Sequence, residues 1–187
     1  MRELRSLGLA CGFVDVATYI QTGNVLVAAD ASGEQVRVRL ERALAQRLAE
    51  PVPVAVVTPA TLARVAETVP VVPVGEVVYV AFWVEPPDPG RLAALSSRVP
   101  ATADRLTVGS DAVYIWYRQG VHGSPLSNAW LERQLKVPMT SRNASTVTQL
   151  AQWVRTWTPS SPYPPAGPDD THGRSVGRGG HTDDGLV

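Results

Sequence analysis

Apolar positions along the chain recur at two spacings, and the places where the spacing changes mark out the elements. Residues 1–10 carry Leu4, Leu7 and Leu9 in a helical segment, and Gly12 stands just past it, where helix ends favour glycine. Residues 13–20 alternate and are rich in β-branched and aromatic side chains, which predicts a strand. Gln21, Thr22, Gly23 and Asn24 read as a turn, and residues 25–29 return as a second strand of a hairpin. Ser32 with Gln35 forms a capping-box pattern ahead of a helix that puts Val36, Leu40, Ala43, Leu44 and Leu48 on one face. Residues 51–57 read as a strand, near a sheet edge because Pro51 and Pro53 lack ladder donors. Thr58-Pro59 then caps and opens a helix to about Thr68.

After a short linker the pattern starts again. Residues 76–84 are an almost continuous apolar strand. Asp88-Pro89 opens a helix to about Arg98, and residues 104–108 and 112–117 form a hairpin around Gly109. Ser124-Pro125 is expected to open a helix to Leu135. Residues 137–140 are short and extended, and Asn143 caps a last helix that buries Val147, Leu150 and Val154.

The second half therefore runs strand–helix–strand–strand–helix–strand, the ferredoxin-like order βαββαβ. The first half runs in the same order without an opening strand. The expected fold is α+β: two ferredoxin-like units packed together, with residues 1–70 as the incomplete first unit. Residues 71–157 form the second unit plus a C-terminal helix. Residues 158–187 hold five Pro and six Gly with little apolar content, which predicts a disordered tail.

Charge narrows the picture little. Seventeen basic residues balance seventeen acidic ones. Within residues 158–187, four Asp against two Arg give −2, which leaves +2 on the rest. Neither value indicates nucleic acid. Cys11 is the lone cysteine, so an intramolecular disulfide is excluded and a reducing compartment fits. No apolar run reaches membrane-spanning length and no signal-peptide pattern opens the chain, so a cytoplasmic protein with no membrane partner is expected.

Two stretches carry a resemblance: TYIQTGNVLV at residues 18–27 and SPLSNAWLERQLKVPMTSRNASTVTQL at residues 124–150. Together they resemble the bacterial family known as domain of unknown function 1697, in order and spacing, over about residues 1–155. The resemblance implies a fold of ferredoxin-like units and no established biochemical activity. It departs from the family at Pro125, where members carry lysine, and at Ala144 and Ser145, where they carry Trp-Asn. Members also begin with a strand and a Gly-rich loop ahead of the first helix, which this sequence lacks. Met1 is expected to be either an internal methionine of a longer gene or the start of a shortened copy.

No catalytic constellation, metal-ligand cluster or cofactor motif stands out. His122 neighbours Ser124 without an acid at a spacing that would orient it. Trp83, Trp116, Trp130, Trp153 and Trp157 read as core and helix-packing residues. Gln21 and Asn24 offer amides beside a glycine turn. Ser124, Ser127, Asn128, Arg142, Asn143 and Thr146 form the richest polar cluster, with Ser124 and Asn143 expected as helix caps. Two helix N-termini beside Arg142 could hold a small anion or a nucleotide. The function expected first is a non-catalytic binding or interaction module. The alternative is a small enzyme acting on an anionic or phosphorylated metabolite, with Arg142 as the clamp and Ser124, Asn128 and Asn143 as donors.

Overall fold

The computed structural model describes residues 2–19, 23–71, 73 and 75–157. Gln21 and the expected tail lie outside them. Among the described residues the fold is mixed α+β, with two antiparallel sheets. The first half runs α1 (Arg2–Ala10), β1 (Asp15–Tyr19), β2 (Asn24–Ala28), α2 (Gly33–Leu48) and α3 (Pro59–Thr68). The second runs β3 (Val77–Trp83), α4 (Pro89–Ala93), β4 (Arg105–Val108), β5 (Val113–Tyr117), α5 (Asn128–Leu135), β6 (Met139–Asn143) and α6 (Ala144–Thr156). β1 and β2 form one sheet, and the other has the order β4-β5-β3-β6.

Local chemistry sets most of these boundaries. Gly12 adopts φ +80° just past α1, a backbone state that side-chain-bearing residues rarely enter. Ser32 Oγ accepts from Gln35 N–H at 3.2 Å while Gln35 Oε1 accepts from Ser32 N–H at 2.9 Å, so the capping box forms in both directions. Such a cap stabilises a helix by about 1 kcal/mol. Thr58 caps α3 with Pro59 at the first helical turn, and Asn143 Oδ1 accepts from Ser145 N–H at 2.9 Å at the start of α6.

Three cores hold the layers together. One is shared by the two sheets: β1 and β2 send in Ala17 and Leu26, and β3 sends in Val78, Val80 and Phe82. Helices α3 and α6 complete it with Val65, Val147 and Leu150. A second core lies on the opposite face of β3, where Ala81 and Ile115 meet Leu95, Leu131 and Leu135. A third packs Phe13 and Val16 against Val36 and Leu40 of α2. β3 is thus covered on both faces, as its unbroken apolar sequence requires. Trp130 and Trp153 are buried, and Trp83, Trp116 and Trp157 pack against the cores in part, the structural role expected of them.

Three expected elements differ. The helix expected from Ser124 begins at Asn128, and its cap is Ser127, whose Oγ accepts from Trp130 N–H at 3.2 Å. Ser124 is diverted: its hydroxyl donates to Asp104 Oδ2 at 2.6 Å. The helix expected to reach Arg98 ends at Ala93 and is followed by a 3-10 turn over Ser96–Arg98.

The third difference is the strand expected at 51–57, which joins no ladder. Pro51 and Pro53 have no N–H to give, and Val54 N–H donates to Glu41 Oε1 at 3.0 Å. Its side chains nevertheless behave as a strand's do. Val54 and Val56 pack on the α2 core, whereas Ala55 and Val57 pack on the shared core. Alternation between opposite faces is the two-residue period of extended backbone. β2 alternates in the same sense, with Val25 and Val27 on the α2 core and Leu26 on the shared core.

Candidate functional site

The polar residues singled out in the sequence do not converge on one place: Asn24 bonds with Arg142, Asn128 with Glu132 and Ser124 with Asp104, the first two pairs meeting at Ser141. Asn24 is buried at the start of β2; its Oδ1 accepts from Arg142 Nε at 2.7 Å and its Nδ2 donates to Tyr19 O at 3.4 Å. Arg142, on β6, also donates from Nη1 to Thr140 Oγ1 at 2.6 Å and to Ser141 O at 2.9 Å. Burial lowers its pKa from the ordinary arginine value, but a guanidinium remains protonated across the working pH range.

Asn128 belongs to a second group that ties α5 to β6. It donates to Met139 O at 2.9 Å and to Glu132 Oε1 at 3.1 Å, and it accepts from Ser141 Oγ at 3.0 Å. Glu132 completes the tie by accepting from Met139 N–H at 2.9 Å. Ser124 forms the third group with Asp104, which also accepts from Arg118 N–H at 3.0 Å. A carboxylate beside Ser124 repels rather than recruits an anion. Ser127 and Asn143 cap α5 and α6, and Thr146 is half-buried on the first turns of α6. The structure thus joins Asn24 to Arg142 and gives Ser124, Ser127, Asn128 and Asn143 local structural partners. Gln21 lies outside the described residues. His122 is exposed.

Other ionisable groups serve packing. Burial pushes the Cys11 thiol up, against a smaller opposing pull from Arg39, so it is held as a thiol rather than a nucleophilic thiolate. Arg37 ties Glu34, Glu41 and Glu85 together at 2.6–3.0 Å. No group of three or more His, Cys, Asp or Glu positioned to hold a metal occurs among the described residues. None of their helices is long and apolar enough to cross a membrane.

The concave feature that the sequence reading missed is apolar. A cavity of about 460 Å³ opens between β2 and residues 54–57, a volume in the range of small-ligand sites. On one side it is walled by Leu4 of α1 and by Val36, Leu40 and Leu44 of α2. On the other it is walled by Leu62 of α3, Phe82 of β3, and Val147, Leu150 and Val154 of α6. Asn24, Thr58, Thr140 and Arg142 supply polar lining, and Arg142 is the one charged residue among the described residues that line it. The signal that could have located this cavity was the apolar character of residues 25–27 and 54–57, both of which line it.

No curated protein matches the chain. Among solved structures it is similar to the conserved bacterial protein SP0830 from Streptococcus pneumoniae, with 22% identity and a TM-score of 0.64, over 83% of this chain and 88% of that one. That likeness is one of fold. The family model described as a protein of unknown function, DUF1697, matches residues 1–114, which includes the first of the two resembling stretches and ends before the second. The chain belongs to this DUF1697 family.

Proposed function

We propose that this chain is a non-catalytic binding module whose binding place is the apolar cavity between β2 and residues 54–57. One observation carries the reading: among the described residues the cavity is walled by apolar side chains from two separate layers and by one charged residue, Arg142. That guanidinium already has acceptors in Asn24, Thr140 and Ser141. An apolar occupant fits such a lining, because an ionised group brought there would lose hydration without gaining a dedicated partner. A reducing bacterial cytoplasm suits the lone, half-buried Cys11. The alternative, an enzyme for an anionic metabolite built on Arg142, draws less support for the same reason: its clamp is already spoken for.

The test is uptake of the uncharged dye N-phenyl-1-naphthylamine by the folded protein, with near-ultraviolet circular dichroism confirming native packing. Saturable uptake is expected, and Ala55→Phe, which places a ring in the cavity, should reduce it severalfold. Uptake unchanged by Ala55→Phe, or none at all, overturns the reading. Stabilisation by a sugar phosphate that is lost in Arg142→Ala would favour the enzyme instead.

A further inference from the structure

The four-stranded sheet ends in two edges, and side chains finish them differently. At β6, the bond from Val84 N–H to Pro138 O at 3.0 Å fixes which residues face β3. Alternate residues of an antiparallel strand direct their backbone groups to opposite sides, so those of Met139 and Ser141 point outward. Side chains occupy them: Glu132 accepts from Met139 N–H, Asn128 donates to Met139 O, and Arg142 donates to Ser141 O. That edge is closed to further pairing.

At β4 the bond from Gly109 N–H to Ala112 O at 2.8 Å sets the phase in the same way. Arg105 and Thr107 exchange ladder bonds with Trp116 and Tyr114 of β5, and the N–H and C=O groups of Leu106 and Val108 point outward. No described residue donates to or accepts from those outward groups. The β4 edge is therefore open, whereas the β6 edge of the same sheet is capped.

Charge says what such an edge accepts. Arg98 and Arg105 are exposed, and neither pairs with a carboxylate among the described residues. The 3-10 turn over Ser96–Arg98 packs beside β4, on the side where Leu95 and Val99 meet Leu106 and Val108. Arg105 stands on the opposite face of the strand, with Thr107. A free guanidinium thus flanks the edge on each face. Asp104, next to Arg105 in the sequence, is engaged by the Ser124 hydroxyl and Arg118 N–H. A second copy of β4 would bring the same cations to the same edge, and like charges across a strand pair are unfavourable. An acidic strand meets no such conflict.

We infer that β4 is a docking edge for an extended acidic segment of a partner polypeptide, which adds beside it as a fifth strand of the sheet. Backbone bonds to Leu106 and Val108 supply the pairing, and carboxylates set against Arg98 and Arg105 select the partner. The surface is separate from the apolar cavity, whose described lining includes no residue of β4 or of the Ser96–Arg98 turn.

The probe is a blocked synthetic peptide of alternating Glu and Val residues, added to the full chain. One control peptide replaces each Glu with Lys. Another carries N-methyl groups on two consecutive central amides, which point to opposite sides, so a donor is lost whichever side faces β4. Saturable binding of the acidic peptide is expected, with slower hydrogen exchange at the Leu106 and Val108 amides. Each control should bind at least about tenfold more weakly. Arg98→Gln combined with Arg105→Gln should weaken acidic-peptide binding severalfold, while the urea midpoint and dye uptake by the cavity stay at their parent values.

Absence of acidic-peptide binding overturns the docking edge, whatever the dye shows. Equal binding of the Lys peptide, or a double variant that binds like the parent, overturns the acidic partner. Equal binding of the N-methylated peptide, or unchanged exchange at Leu106 and Val108, leaves an ionic contact alone and overturns strand addition. Protection of those amides that grows with protein concentration and needs no peptide assigns the edge to a second copy of the chain and overturns the partner strand.

Discussion

Arg142 and Asn24 are separated by 118 residues in the sequence and joined by a hydrogen bond of 2.7 Å from Nε to Oδ1. The bond links β6 of one sheet to β2 of the other at the polar end of the cavity. Asn24 is buried, so loss of its side chain strands a guanidinium donor. Asn24→Ala is expected to destabilise the fold by about 1–3 kcal/mol. Arg142→Met in the same background should cost less than it does alone. A double-mutant cycle by urea denaturation measures the coupling, and simple additivity would show that the bond contributes nothing.

Glu41 anchors residues 51–57 to α2 through Val54 N–H. Glu41→Ala removes that acceptor and should cost about 1 kcal/mol, with faster hydrogen exchange at the Val54 amide. Glu41→Gln keeps an acceptor oxygen and should preserve protection at Val54 while losing the ion pair to Arg37. Identical Val54 exchange in the two variants would mean that side-chain packing alone holds the segment.

Tyr117 is buried, and its hydroxyl donates to Leu126 O at 2.7 Å. Burial first, then the nearby charge of Asp104, pushes its pKa up to about 12. Because the folded value lies above the ordinary tyrosine value, the native state holds this proton more tightly. The associated stability is complete below about pH 10 and is lost as pH rises toward about 12. Tyr114 is shifted upward by burial in the same direction. The urea midpoint should therefore fall on the alkaline side, and Tyr117→Phe should flatten that fall. Absorbance at the tyrosinate band reports the titration directly.

Gly8 lies on α1 against the fully buried Val16, where an added Cβ would sit 2.9 Å from Val16 Cγ1. Alanine raises helix propensity by about 1 kcal/mol over glycine. Overpacking here should outweigh it, so Gly8→Ala is expected to lose about 1–3 kcal/mol net. Gly8→Ala combined with Val16→Ala should lose less than the sum of the two single changes. A Gly8→Ala variant more stable than the parent would show that α1 shifts freely over β1.

Local signals were readable in the sequence because they act within three or four residues. The Ser32–Gln35 capping box, the Thr58-Pro59 start and the Asn143 cap all stand where short-range chemistry places them. Ser124-Pro125 carried the same kind of signal and failed. A distant residue, Asp104, takes the Ser124 hydroxyl and leaves Ser127 to cap α5. Residues 51–57 were legible in side-chain period and misleading in backbone pairing, since a ladder depends on a neighbour that local sequence does not encode. The polar cluster suffered likewise: only the fold reveals that Arg142 meets Asn24 and that Asn128 is tied to Met139 and Ser141.

The core shared by the sheets makes the two halves mutually dependent. Leu26, Leu62 and Val65 are covered by Phe82, Val147 and Leu150, which lie on the far side of residue 70. A fragment ending there would bare its inner face, and the remainder would bare the matching one. Heat should therefore meet a single cooperative melting event instead of two, and damage confined to α6 should loosen a hairpin more than a hundred residues upstream in the sequence.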